Sequence, residues 1–233
     1  MRVALLISGR LKCYETCLLP LLSKSQYDID IFASINDIDS DYYDRVRVNL
    51  SSWLKGIYIS PYSFSKRFVE IFVNIHTNLP EPKPYNQMSM FFNDRNAFDM
   101  ATEYADKNSF EYHAYMKYRA DIITNSFPEI KVTDKQKLFS VIPWCNHTSP
   151  VVIRDPIGYG DLVPWVSDAI VYGNRKSMLT YTETYNFCME MLELFDGRYP
   201  CNFEPSVTQN AYDKKLEVEY FNKPYIIDPL RHR

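Results

Sequence analysis

Arg119, Ala120 and Asp121 close an aromatic run, Glu111–Ile123, and place a cation and a carboxylate two residues apart. The run reads as a β-strand, because aromatic side chains favour a pleated, half-buried surface. Side chains two apart on a strand share a face, so both charges can act on one ligand. A guanidinium and a carboxylate so placed suit a diphosphate and its metal ion. They suit a surface ion pair at a strand end equally well. The triplet falls where the strand runs out, and in open α/β sheets that carboxyl edge is where ligands collect.

Other residues invite chemistry less strongly. Asp37 and Asp39 are spaced as a metal pair, yet the acidic stretch Asn36–Asp44 equally fits a solvated loop leading into a helix, where carboxylates suit the dipole. His147 and His232 are isolated. The five cysteines, Cys13, Cys17, Cys145, Cys188 and Cys201, are odd in number and form no C-x-x-C pair, which argues against a zinc site or a disulfide framework. They read as buried thiols in a reducing, cytoplasmic setting.

Stepping outward, the chain alternates strand and helix signals. Val3–Ile7 is a continuous apolar run stopping at Ser8-Gly9-Arg10, as expected of a central strand buried on both faces. Residues 13–23 put Tyr14, Cys17, Leu18, Leu21 and Leu22 on one helical face, and Ile29–Ile35 reads as a second strand. Strand, helix, strand predicts a parallel βαβ pair. Val46–Leu54 reads as a helix, Gly56–Ile59 as a strand and Phe64–His76 as another helix. A proline-rich connection, 79–84, precedes the best helix of the chain, Asn86–Lys107, in which Asp94 interrupts the apolar stripe. Beyond the triplet, Leu138–Trp144 reads as a strand and Cys145–Val163 as a long loop. Ser167–Gly173 is a short strand with an acidic start, and Arg175–Phe195 a long helix. Phe203-Glu204-Pro205-Ser206 opens a last helix, with Leu216–Phe221 and Tyr225–Ile227 as late strands.

Composition excludes some classes. A formal charge of -3 over 233 residues gives no basic field for phosphate neutralisation, so nucleic acid is not an expected partner. The 19 Tyr and 14 Phe suit sugar or base stacking and plain core packing alike. No run approaches the roughly 18 apolar residues of a membrane span. The apolar stretch after Arg2 is shorter than a secretory core and lacks a small-residue cleavage site.

Taken in order, these pieces resemble a group of viral and bacterial glycosyltransferases of the GT-A type. The likeness rests on Ile7-Ser8-Gly9-Arg10 ending the first strand and Phe32–Asn36 ending the second. Tyr118-Arg119-Ala120-Asp121 then closes the aromatic strand, Ser167–Gly173 follows, and Phe203-Glu204-Pro205 begins a helix. It runs over almost the whole chain, though each motif is short. It implies an α/β, Rossmann-like fold with a mixed, mostly parallel sheet flanked by helices. It also implies one domain, 1–233, with a nucleotide-sugar-binding half (1–123) and an acceptor-binding, catalytic half (124–233). The donor would be a UDP- or GDP-type nucleoside diphosphate sugar and the acceptor a glycan or glycoprotein. A divalent Mn²⁺ or Mg²⁺ would be held by an Asp-x-Asp motif. This chain departs from that motif, having Arg119 at its first position, so only Asp121 is left as the metal ligand. An arginine can also neutralise a pyrophosphate directly.

The same resemblance assigns further roles. Sugar transfer breaks an anomeric C–O bond through an oxocarbenium-like state, and the leaving diphosphate needs a counter-charge. Arg119 and Asp121 are the residues for that end. Ser8, Gly9 and Arg10 are placed for nucleotide binding, although Gly9 also suits a plain turn. Asn36 suits ribose or base, or a turn. An inverting transferase needs a carboxylate to deprotonate the acceptor hydroxyl, and Asp168 and Glu204 are the candidates. Asp168 also fits a simple strand end, and Glu204 a helix N-terminus. Two rival functions remain: a non-catalytic carbohydrate-binding or assembly protein on the same fold, and a nucleotidyltransferase, for which Gly9-Arg10-Leu11-Lys12 is a poor glycine-rich loop.

Overall fold

The computed structural model describes residues 1–9, 11, 13–36, 40–60, 83–142, 151–154, 160–163, 166–194 and 203–227. The apolar run after Arg2 forms strand β1 (Arg2–Gly9) at the middle of a seven-stranded sheet. Its neighbours are β2 (Asp28–Asn36) on one side and β4 (Ala114–Tyr118) on the other, both parallel to it. Strand β3 (Leu54–Ser60) extends the parallel set beyond β2. On the far side, β9 (Ile170–Gly173) runs antiparallel to both β4 and β6 (Lys137–Val141), and β10 (Glu217–Phe221) closes the sheet parallel to β6. The order is β10-β6-β9-β4-β1-β2-β3. This is the mixed, mostly parallel sheet that the resemblance implies, and it contains the parallel β1–β2 pair read from the residues.

Helices cover both faces, because strands buried on both sides need two apolar layers. On one face, Leu5, Ile7, Ile31, Ala33, Ile35, Met116 and Tyr118 pack with Tyr14, Leu18, Leu21 and Leu22 of helix α1. That helix winds as a π-turn over Tyr14–Leu18 and continues as Leu19–Leu22. On the other face, Ala4, Leu6, Phe32 and Tyr115 pack with Phe91, Ala97, Phe98, Ala101 and Ala105. These last belong to the long helix Lys83–Lys107. It is labelled α3, after α2 (Ser40–Asn49). Helices α4 (Arg175–Thr182), α5 (Thr184–Leu194) and α6 (Phe203–Asp213) complete that layer.

Four expectations are corrected. The aromatic strand is shorter than Glu111–Ile123: it ends at Tyr118, Ala120 and Asp121 form a turn, and β5 (Ile122–Ile123) pairs instead with β11 (Ile226–Ile227). The helix placed at Val46–Leu54 starts at Ser40, with Asp41 in its first turn, and stops at Asn49, because Leu54 is drawn into the sheet as β3. Within the span read as a loop, β7 (Val151–Arg154) and β8 (Gly160–Val163) form an antiparallel ribbon. The long helix 175–195 breaks at Glu183. There the Asn210 amide donates to the Thr180 carbonyl at 2.7 Å, filling the acceptor that a continuous helix would use. The helix read at Phe64–His76, the prolines Pro80 and Pro82, and Asp37 and Asp39 lie outside the described residues.

Candidate active site

The site grows from a change of character along one face of the sheet. Alternate residues of a strand share a face. On the α3 side β1 presents Ala4, Leu6 and then Ser8. Strand β2 presents Phe32, then Ser34 and Asn36, while β4 presents Tyr115, then Lys117, with Arg119 just past its end. Each strand therefore turns polar as it nears its carboxyl edge. Helix α3 answers in kind: Ala97, Phe98, Ala101 and Ala105 cover the apolar half, while Ser89, Asn93 and Asp94, all buried, cover the polar half.

Buried polar groups require partners, and most of these have them. The Ser34 hydroxyl donates to Asn93 Oδ1 at 2.7 Å, and Asn93 Nδ2 and Ser89 Oγ donate to Asn36 Oδ1 at 2.9 and 3.1 Å. Lys117 Nζ donates to Asp94 Oδ2 at 2.9 Å, with side chains only 1% and 3% exposed. The other oxygen, Asp94 Oδ1, is buried without a hydrogen-bond partner. Burial pushes the Asp94 carboxyl above its usual range. The Lys117 ammonium and the Ser8 hydroxyl oppose the shift, and nearby Asp168 adds to it.

A second cluster sits at the edge itself. Antiparallel pairing of β4 with β9 sets Tyr118 opposite Ile170, and the Arg119 N–H donates to the Ala169 carbonyl at 3.0 Å. That register brings Asp168, just before β9, beside Arg119. The Ser167 N–H donates to Ser140 Oγ at 2.9 Å and the Ala169 N–H to Ser167 Oγ at 3.0 Å, which fixes the segment. Thr208 of α6 accepts from the Val166 N–H at 2.9 Å. The Arg119 guanidinium grips Asp121 with two parallel bonds, Nε to Oδ1 at 2.9 Å and Nη2 to Oδ2 at 2.7 Å. Its Nη1 donates to Asp168 Oδ2 at 2.5 Å. The three side chains are 22%, 20% and 20% exposed, so the cluster is half-buried and reachable from solvent. Burial works against the guanidinium's charge, but Asp168 and Asp121 outweigh it and raise its pKa. The pair faces inward because the chain turns at Ala120–Asp121, not because strand alternation continues through it.

Ser8, Gly9, Asn36, Arg119, Asp121 and Asp168 thus all fall at the carboxyl edge of β1, β2 and β4. Gly9 has φ +84°, and a Cβ there would meet nothing within 4 Å. Glycine is therefore needed for the left-handed turn out of β1, not for lack of space. Glu204 is the second residue of α6, one turn before Thr208, and its side chain lies outside the described part, as do Arg10, His147 and His232. Sequence reasoning missed Asp94, Lys117, Asn93, Ser89 and Ser34. The signals were present: a lysine inside an aromatic strand, and an aspartate inside a helix's apolar stripe.

The described carboxylates at this edge do not fit a divalent ion. Asp121 and Asp168 are the two carboxylates that converge, and the Arg119 guanidinium already engages both. Among the described residues no group of three or more His, Cys, Asp or Glu is placed to hold a metal. No described helix is long and apolar enough to cross a membrane.

No protein-family model and no curated protein matches the chain. Among solved structures it is similar to mouse xyloside xylosyltransferase 1 in its apo form, with a TM-score of 0.49 and 10% identity, covering 95% of this chain and 85% of that one. It is also similar to the nucleoside-diphosphate-sugar pyrophosphorylase from Vibrio cholerae RC9, with a TM-score of 0.44 and 11% identity, covering 97% and 96%. Both likenesses are too distant to bear on the site.

Proposed function

We propose that the chain is a glycosyltransferase that takes a sugar from a UDP- or GDP-type nucleoside diphosphate sugar to a hydroxyl of a glycan. The observation that carries this reading is the Arg119 guanidinium clamped between Asp121 and Asp168 at the carboxyl edge, beside the left-handed turn at Gly9. Arginine is the side chain best shaped to meet a phosphate with two donors at once. In this reading Arg119 receives the diphosphate and Asp121 fixes its fork. Ser8, Gly9 and Asn36 border the nucleoside, and Arg10 follows Gly9 in the chain. Glu204 remains the alternative base.

Asp168 suits the base better on geometry. Only its Oδ2 is used by Arg119, and Oδ1 has no hydrogen-bond partner among the described residues. The acceptor hydroxyl gives its proton to that oxygen while its own oxygen bonds the anomeric carbon. The bond from that carbon to the diphosphate breaks, and its electrons leave with the diphosphate. Arg119, Asp121 and Asp168 together carry one net negative charge. Protonation of Asp168 brings the trio to neutrality at the moment the diphosphate's charge develops, which favours the charged leaving group.

A panel of UDP-, GDP- and dTDP-sugars with glycan acceptors tests the reading through release of free nucleoside diphosphate. One donor is expected to turn over, and Asp168→Asn to lower its rate by about 10²–10⁴-fold, the span typical of a general base. Donor binding without any turnover would favour the non-catalytic carbohydrate-binding reading. Absence of binding by every donor would remove the nucleotide-sugar reading altogether.

A further inference from the structure

We propose that the Arg119 guanidinium, rather than a divalent ion, is the resident counter-charge for the donor's diphosphate, so that donor binding is independent of metal. This rests on the donor-binding reading above and deepens it.

The geometry starts with donor counting. An arginine side chain has five N–H donors in a fixed fork. Arg119 uses Nε and one N–H of Nη2 on Asp121, and one N–H of Nη1 on Asp168. One N–H on each terminal nitrogen is left, and the side chain is 22% exposed. Each remaining N–H can donate to a phosphate oxygen, and hydrogen bonds of an ionised donor to an ionised acceptor are the strong ones. The clamp also removes rotamer freedom in advance. The backbone N–H of Arg119 is tied to Ala169, and the fork is held by two carboxylates from different segments of the chain. Little ordering remains to be done when the phosphate arrives.

The same contacts oppose a metal shared by the two carboxylates. An ion shared by Asp121 and Asp168 would have to expel a guanidinium that makes three charge-assisted bonds. It would gain no third carboxylate, His or Cys from the described residues. The carboxylates bring a consequence as well. Because the trio keeps one net negative charge, Asp168 repels the diphosphate it sits beside. Its loss therefore has opposite effects in the two cases. With arginine as the counter-charge, Asp168→Asn removes a repulsion and leaves the Asp121 clamp intact. With a metal as the counter-charge, it removes a ligand.

Isothermal titration of UDP and GDP into the full chain, in EDTA and in Mn²⁺, separates these. For whichever nucleotide binds, affinity is expected to agree within about twofold between the two conditions, and Asp168→Asn to bind at least as tightly as the wild type. A factor of ten corresponds to about 1.4 kcal/mol, well within what such titrations resolve. Binding that requires Mn²⁺, or that weakens tenfold in Asp168→Asn, overturns the inference and leaves the nucleotide-sugar reading standing. Failure of both nucleotides to bind in either condition overturns both.

Discussion

Two charged clusters lie at opposite edges of the same face of the sheet, and they differ in how completely they are satisfied. At the amino edge, buried Asp30 accepts at Oδ2 from Arg2 Nε at 2.8 Å, Arg2 Nη2 at 2.7 Å and the Tyr112 hydroxyl at 2.8 Å, while Oδ1 faces Lys55 Nζ at 3.7 Å. The Arg2 guanidinium also stacks on Phe110, 3.8 Å from the ring centre. At the carboxyl edge, Asp94 Oδ1 is buried without a hydrogen-bond partner. Unmet hydrogen-bonding capacity is costly in an interior. The two buried aspartates therefore differ: Asp30 is met by two cations and a hydroxyl, whereas one oxygen of Asp94 is left without a hydrogen bond.

The largest effect is expected at Lys117. Lys117→Met leaves a fully buried Asp94 carboxylate with no cation, and removing one partner of a buried pair typically costs about 3–5 kcal/mol. Urea denaturation is expected to show a loss of that size. A loss below about 1 kcal/mol would mean that Asp94 is not held as described. Replacing both residues, as Asp94→Leu with Lys117→Met, is expected to restore much of the stability, because a buried ion pair adds little over an apolar pair of similar volume.

A smaller effect follows from the pH dependence of that pair. Burial raises the Asp94 carboxyl above its unfolded value. Between those two values the folded chain holds a proton that the unfolded chain has lost. The folded state is thus favoured at the low end of the window, and stability falls as pH rises through it. Urea midpoints of the wild type and Asp94→Asn, compared at successive pH values, are expected to diverge in that direction. A parallel pair of curves would remove Asp94 as the titrating group.

How much of this was legible in the sequence differs between the two levels of structure. Strands β1 and β2 and helix α3 were readable because unbroken apolar runs and a 3.6-residue period encode burial directly. The triplet's place near the end of the aromatic strand was readable, but its end at Tyr118 was not, because Ile122 and Ile123 continue the apolar pattern into a separate strand. The direction of β9 was not, because a four-residue apolar run looks alike in either orientation. That orientation is what brings Asp168 to Arg119. The Asp94–Lys117 pair was hidden differently. Pattern reading treats a polar residue in an apolar stripe as an imperfection, and only the facing of α3 on β4 shows that two such interruptions meet. The break at Glu183 was also invisible, since it depends on Asn210 from a helix later in the chain.

A nucleoside diphosphate is expected to bind at the Arg119 cluster of the carboxyl edge and not at the Arg2 cluster of the amino edge. Titration of the bound nucleotide into Arg119→Gln and Arg2→Met, beside the wild type, tests it most directly. Arg119→Gln is expected to weaken binding about tenfold or more, as for the loss of a charge-assisted pair of hydrogen bonds. Arg2→Met is expected to lower stability by about 1–3 kcal/mol while leaving affinity within about twofold. Unchanged affinity in Arg119→Gln would contradict the account.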